Sequence, residues 1–401
     1  LCTTPAMFMT TVKLDCDGAV MITASHLPFE RNGMKFITRQ GGLEHDEVAA
    51  IAAAMDEDVV PAQPETESVD FLAMYAQGLV DFIREKTGSE LPPEEYFDFD
   101  TRSVFPGPTR LKTDFTRFFP DGVEPEASFD EWGIGSVPTL YEIPDFKYHP
   151  LGTATTVAEI DAYPWPDFDA PYRYEGVRTQ VATFHKRGYA VCGEMYQTLF
   201  ETAWLMRDMQ AFLMDMMLNE ELTHAICERI AQIRVGQARQ YALAGVDILR
   251  LGDDIVSQQG LMFSKELYNT YFKPRIKRIV AVAKEVNPDI IIFMHSCGKI
   301  EGMIDELIDA GVEVLNPVQP ECNDQQAIKR TYGDRLSFWG GVGVQSVLPH
   351  GTPDEVRAAT RKTIATLGPE NGFLVAPAHI LDPAIPWENI EAFIETVKEQ
   401  R

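Results

Sequence analysis

His295 and Cys297 put an imidazole and a thiol two residues apart at the end of an apolar run, residues 290–294. Alternate residues of a strand share a face, so both side chains point the same way if the run is a strand. Such a pair can supply two corners of a tetrahedral zinc site, which needs a third protein ligand if it is catalytic. The same pair also suits a capping histidine beside a small buried thiol. Other chemically capable residues stand at or just past the ends of apolar runs: Glu194, Asp253, Asp254, Asn316, Gln319 and His379. Asp253 and Asp254 are costly to bury unless they face a polar cavity, a metal or a cation, and Asp is also a common helix cap. We take Asp253, Asp254 and Glu194 as candidate catalytic carboxylates, and Gln258, Asn316 and Gln319 as candidate substrate contacts.

The elements that must position these residues follow a regular order. Strand-like runs at 189–195, 246–251, 290–294, 312–315, 336–339 and 373–375 each end in Gly or polar residues. Helical patterns at 201–244, 264–286, 300–308, 324–332, 353–367 and 387–399 come after them. Strand–helix units repeating every 25 to 50 residues or so point to a parallel sheet. Six units with room upstream for two more favour an α/β fold of the (β/α)8 TIM-barrel type, whose chemistry lies at the carboxyl ends of its strands. No GxGxxG opens a helix, which counts against an open dinucleotide-binding sheet.

At 401 residues the chain is long for one domain but within the range of an α/β barrel. A formal charge of -26 argues against a nucleic-acid partner, since phosphates are bound by clustered Lys and Arg; an anionic substrate would need a local basic pocket. No apolar run reaches a membrane span of about 20 residues, and no signal segment opens the chain, so a cytoplasmic location is expected. The chain begins with Leu1 in place of Met, as in a fragment or processed product. Six cysteines (Cys2, Cys16, Cys192, Cys227, Cys297 and Cys322) lie without paired spacing, as in a reduced protein.

Residues 1–87 differ from the rest. The run at 18–22 leads into Thr23-Ala24-Ser25-His26, Pro28, then Asn32-Gly33 and Lys35-Phe36. This stretch resembles the phosphoserine loop of the phosphoglucomutase and phosphomannomutase family, with Leu27 where that family carries Asn. The resemblance makes Ser25 the phosphate carrier and His26 its neighbour. The family's metal, sugar and phosphate loops have no counterpart here, so we expect Ser25 to be inert, because phosphoryl transfer depends on metal and cationic groups. A junction near 85–95, with Gly88, Pro92 and Pro93, suggests domains at 1–87 and 88–401.

From about residue 91 onward the chain resembles the uroporphyrinogen decarboxylase superfamily, which includes zinc-dependent methyltransferases that work with corrinoid proteins. The residues that carry this are Phe105-Pro106-Gly107, Asp130-Glu131-Trp132-Gly133, Gly252-Asp253-Asp254, Met294 to Gly298, Phe338-Trp339-Gly340-Gly341, Ala376-Pro377-Ala378-His379 and Pro386-Trp387-Glu388-Asn389. The methyltransferases hold zinc through the two ligands matching His295 and Cys297 and a later Cys; spacing from Pro386 puts His379 in that place. Histidine also binds zinc, so the resemblance implies a His295, Cys297 and His379 site with one open position. The decarboxylases carry a His there and bind no metal. Their arginine-bearing N-terminal segment has no match, and the superfamily's usual first strand is missing too, its place taken by residues 1–87.

Three functions compete on this reading. The first is zinc-dependent methyl transfer from a methylated corrinoid on a partner protein to a small thiol. The second is metal-free decarboxylation of a tetrapyrrole-type acid, with Asp253 or Asp254 stabilising a pyrrole cation. The third is a non-catalytic fusion, because a barrel short of a strand exposes two edges. The run at 18–24 is the candidate to fill that gap, but nothing in either part anticipates the other, so residues 1–87 are expected to form a separate lobe.

Overall fold

A computed structural model describes residues 84, 86–89, 91–137, 145–370, 372–381 and 385–400, and the backbone of strands at 19–23, 33–38 and 41–42. Seven parallel strands form one sheet: β1 (Thr101–Val104), β2 (Ala190–Met195), β3 (Ile248–Gly252), β4 (Ile291–His295), β5 (Val314–Asn316), β6 (Ser337–Val342) and β7 (Phe373–Pro377). Neighbours in sequence are neighbours in the sheet from β1 to β7, the order of a TIM-type barrel. The six strands expected from the sequence are all present, and all but β2 run one or more residues further toward the polar end. β1 has no apolar run to announce it, and its Arg102 is buried.

Ala19–Thr23 pairs antiparallel with Gly33–Thr38 and belongs to a three-stranded sheet separate from the parallel one. Ser25 and His26 lie outside the described residues. The chain divides into two compact units, residues 1–96 with 137–145, and residues 97–136 with 146–401.

Helices cover the outer face of the sheet. The helical stretch expected at 201–244 is three helices: α1 (Phe200–Arg207), α2 (Met209–Leu218) and α3 (Glu220–Ala244). Asp208 and Asn219 break it by capping α2 and α3, each side-chain oxygen accepting a backbone N–H three residues on. The stretch expected at 264–286 likewise splits, into Lys265–Tyr271 and Lys273–Val286, with Pro274 in the second helix's first turn. The main apolar core lies between sheet and helices and includes Val191, Leu249, Ile292 and Leu315. A smaller cluster of Cys192, Ile248 and Phe293, with Val314 and Trp339 against it, occupies the opposite, inner face. Among the described residues no helix is long and apolar enough to cross a membrane.

Candidate metal centre

β4 ends at His295, and the chain turns immediately so that Cys297 lies just beyond the strand. Gly298 makes the turn at φ +98, and a Cβ there would sit 2.6 Å from the Ser257 carbonyl oxygen. β7 delivers His379 from its carboxyl end. The ligand atoms of His295, Cys297 and His379 all lie within 4.8 Å of one another. Cys297 Sγ is 3.4 Å from His295 Nε2, already a tetrahedral edge. His379 is exposed, and closing the remaining distance takes a shift of roughly 1 Å.

Asn316, at the end of β5, decides which nitrogen of His295 is free. Its Nδ2 donates to the Trp339 carbonyl at 2.7 Å, which turns Oδ1 toward His295 Nδ1. An oxygen can only accept, so Nδ1 carries the proton and the Nε2 lone pair faces Cys297. Gly340, at φ +120, leaves room for this contact; a Cβ would meet the Pro317 oxygen at 2.8 Å and Asn316 Nδ2 at 3.2 Å. Asn316 therefore contacts a candidate ligand directly. Gln319 also faces the turn, its Oε1 accepting from the Gly298 N–H. Asn323, not anticipated from the sequence, accepts from the Ile300 N–H and donates to the Gly298 carbonyl. Gln258 is exposed and donates to Gln345 Oε1 at 3.0 Å.

The carboxylates divide by role. Asp254 Oδ1 accepts from the Cys297 N–H at 2.7 Å and lies 3.8 Å from His295 Nε2, so it stands beside the three donors. Asp253 points away from them. It is buried, and its oxygens accept from the Leu199 and Glu201 N–H groups at 2.9 Å. It thus caps α1 rather than the turn immediately after it in sequence. Replacing Asp253 by Ala leaves these donors unpaired at a buried helix start and is expected to cost about 2–4 kcal/mol, read as a lower urea midpoint. Asn, which keeps one acceptor, should cost less. Glu201, also unanticipated, accepts from the Asp254 N–H. Burial, and then the neighbouring carboxylates, hold its pKa well above the usual range.

Glu194 lies on the inner face of β2, where it pairs with Arg250 of β3 at 2.9 Å and accepts from the Ser103 hydroxyl at 2.5 Å. Burial, with Asp254 and Glu201 next, pushes the Cys297 thiol up to about 12. Burial lowers the pKa of His295, leaving it a neutral donor. A neutral imidazole and a thiol beside carboxylates fit a divalent cation, whose charge reverses the penalty on the thiolate.

The sequence model for "Uroporphyrinogen decarboxylase (URO-D)" matches residues 132–400, more than half of the chain. The chain belongs to the uroporphyrinogen decarboxylase family. A second model, "Phosphoglucomutase/phosphomannomutase, alpha/beta/alpha domain I", matches residues 1–59. Family relatives include a methylcobamide:CoM methyltransferase, MtaA, of Methanosarcina barkeri, 24% identical over 40% of this chain and 44% of that protein. A uroporphyrinogen decarboxylase of Synechocystis is 20% identical over 44% of this chain and 48% of its own length. The matches thus span about half of these relatives. The solved structure of a methyltransferase from Methanosarcina mazei superposes with a TM-score of 0.54 at 16% identity, covering 77% of this chain and 82% of that one, which supports the barrel fold.

Proposed function

We propose that this chain moves a methyl group from a methylated corrinoid, carried by a partner protein, to a small thiol, with zinc held by His295, Cys297 and His379. The observation that carries this reading is the convergence of those three donors at the ends of β4 and β7. The similarity to the Methanosarcina barkeri protein supports it. Zinc bound there would supply the charge that lowers the pKa of a thiol entering the open fourth position.

The chain's own residues do the rest. Asn316 holds the Nδ1 proton of His295, Asp254 fixes Cys297 through its backbone, and Gln319 and Asn323 keep the turn in place. The acceptor thiol, its proton released to solvent, would take the methyl group from the partner's corrinoid, the electron pair of the broken cobalt–carbon bond staying with cobalt. Asp253 lends no support to the decarboxylase alternative, because backbone N–H groups already take its oxygens.

Zinc-loaded protein incubated with methylcobalamin and 2-mercaptoethanol tests the reading. Formation of the methyl thioether with loss of the methylcobalamin absorption supports it, and no thioether above a protein-free control overturns it. Asn316→Leu frees the His295 ring without touching a ligand. It should weaken zinc binding by about 10–100-fold in a chelator competition, the usual effect of losing a histidine's hydrogen-bond partner.

A further inference from the structure

Helix α2 carries apolar side chains on two faces, and the barrel covers only one of them. Phe212 and Met216 are buried. The Phe212 ring lies 6.3 Å from Phe200 and 6.4 Å from Phe272, and the Met216 carbonyl accepts from the Tyr271 hydroxyl at 3.0 Å. Leu213, Met214, Met217 and Leu218 form the other face, three and four residues apart as on one side of a helix. Met214, Met217 and Leu218 are 51%, 73% and 77% exposed. With Met209 they line an open groove of about 660 Å³. Asp215, the one charged residue of α2, does not interrupt this stripe, because it turns to Arg207 at 2.8 Å with both side chains largely buried. Single exposed apolar residues are ordinary, but a contiguous stripe marks an interaction site.

The size and the charge of the patch select its occupant. The three exposed side chains amount to about two whole ones, whereas a stable dimer engages about 20–30 residues a side. A helix laid in a groove needs only a few anchors at this spacing, and unbranched methionines adapt to the shape of such a guest. No Lys or Arg stands between Arg207 and Arg229, while Asp208 precedes α2 and Glu220 and Glu221 follow it, both glutamates exposed. The Asp208 side chain is 48% exposed. An acidic rim on a chain of net charge -26 repels a second copy and an anionic membrane, and attracts a cationic segment.

We propose that the outer face of α2 receives a basic amphipathic helix of a partner protein. Its apolar stripe lies against Leu213, Met214, Met217 and Leu218, and its Lys or Arg side chains meet Asp208, Glu220 and Glu221. The inference does not depend on the methyl-transfer reading.

Fluorescence anisotropy of two labelled synthetic peptides on the full chain tests it. Both have leucines along one helical face; one has lysines on the other face and one has glutamates. The lysine peptide should bind saturably and at least about tenfold more tightly than the glutamate peptide, the equivalent of about 1.4 kcal/mol. Met217→Gln/Leu218→Gln should weaken it by about tenfold or more, and Glu220→Gln/Glu221→Gln should weaken it less and flatten its dependence on salt. Equal affinity for the two peptides, or no binding of either, overturns the inference on the unaltered protein alone. Lysine-peptide binding that survives Met217→Gln/Leu218→Gln also overturns it, as adhesion to the acidic surface at large. Two further outcomes give the patch to another occupant and overturn it equally. One is binding to phosphatidylcholine vesicles, and the other is a dimer in sedimentation, each lost in Met217→Gln/Leu218→Gln.

Discussion

Cys297→Ser is expected to lower zinc affinity by well over 100-fold and to end methyl transfer. Losing only an outer partner of a zinc ligand costs about 10–100-fold, and Cys297 supplies the anionic donor itself. Serine keeps the size and the backbone, so the Asp254 bond to the residue 297 N–H survives. The hydroxyl stays protonated near neutral pH and is a poor zinc ligand. Chelator competition gives the affinity, and thermal melting of the metal-free protein checks the fold. The melting temperature should barely move, because the thiol is held as the neutral form without metal.

The pairing of His295 with Cys297 was legible because a strand end is recognisable from an apolar run closed by polar residues. His379 was legible only through its spacing from Pro386-Trp387-Glu388-Asn389. What the sequence hid were partnerships across the sheet. Arg250 reads as an interruption of an apolar strand, and its partner Glu194 stands 56 residues away. Asp253 reads as a cap for its own turn, yet it caps a helix that starts more than fifty residues earlier. β1 is hidden in the sequence because four residues with one buried Arg carry no periodic signal. The break at Asp208 and Asn219 was signalled by two good capping residues inside an otherwise continuous helical pattern.

Glu194→Ala should destabilise the fold by about 3–5 kcal/mol, the usual cost of leaving one member of a buried ion pair alone. The loss falls on Arg250, which three aromatic rings prevent from swinging out to water. Ser103 also loses its acceptor. Glu194→Gln/Arg250→Met, which removes both charges together, should recover most of that stability. Urea unfolding of the two variants separates the cases. Near-equal losses would mean that the pair is not what holds this layer of the barrel.

The central claim is a single metal held by two imidazoles and one thiolate. Zinc-edge X-ray absorption on protein purified without added metal tests it most directly. The account predicts about one zinc per chain, with one sulfur near 2.3 Å and two imidazole nitrogens at about 2.0–2.1 Å. That sulfur should disappear in Cys297→Ser. Protein that holds no zinc even after zinc is supplied, or a sulfur shell unchanged in Cys297→Ser, would contradict it.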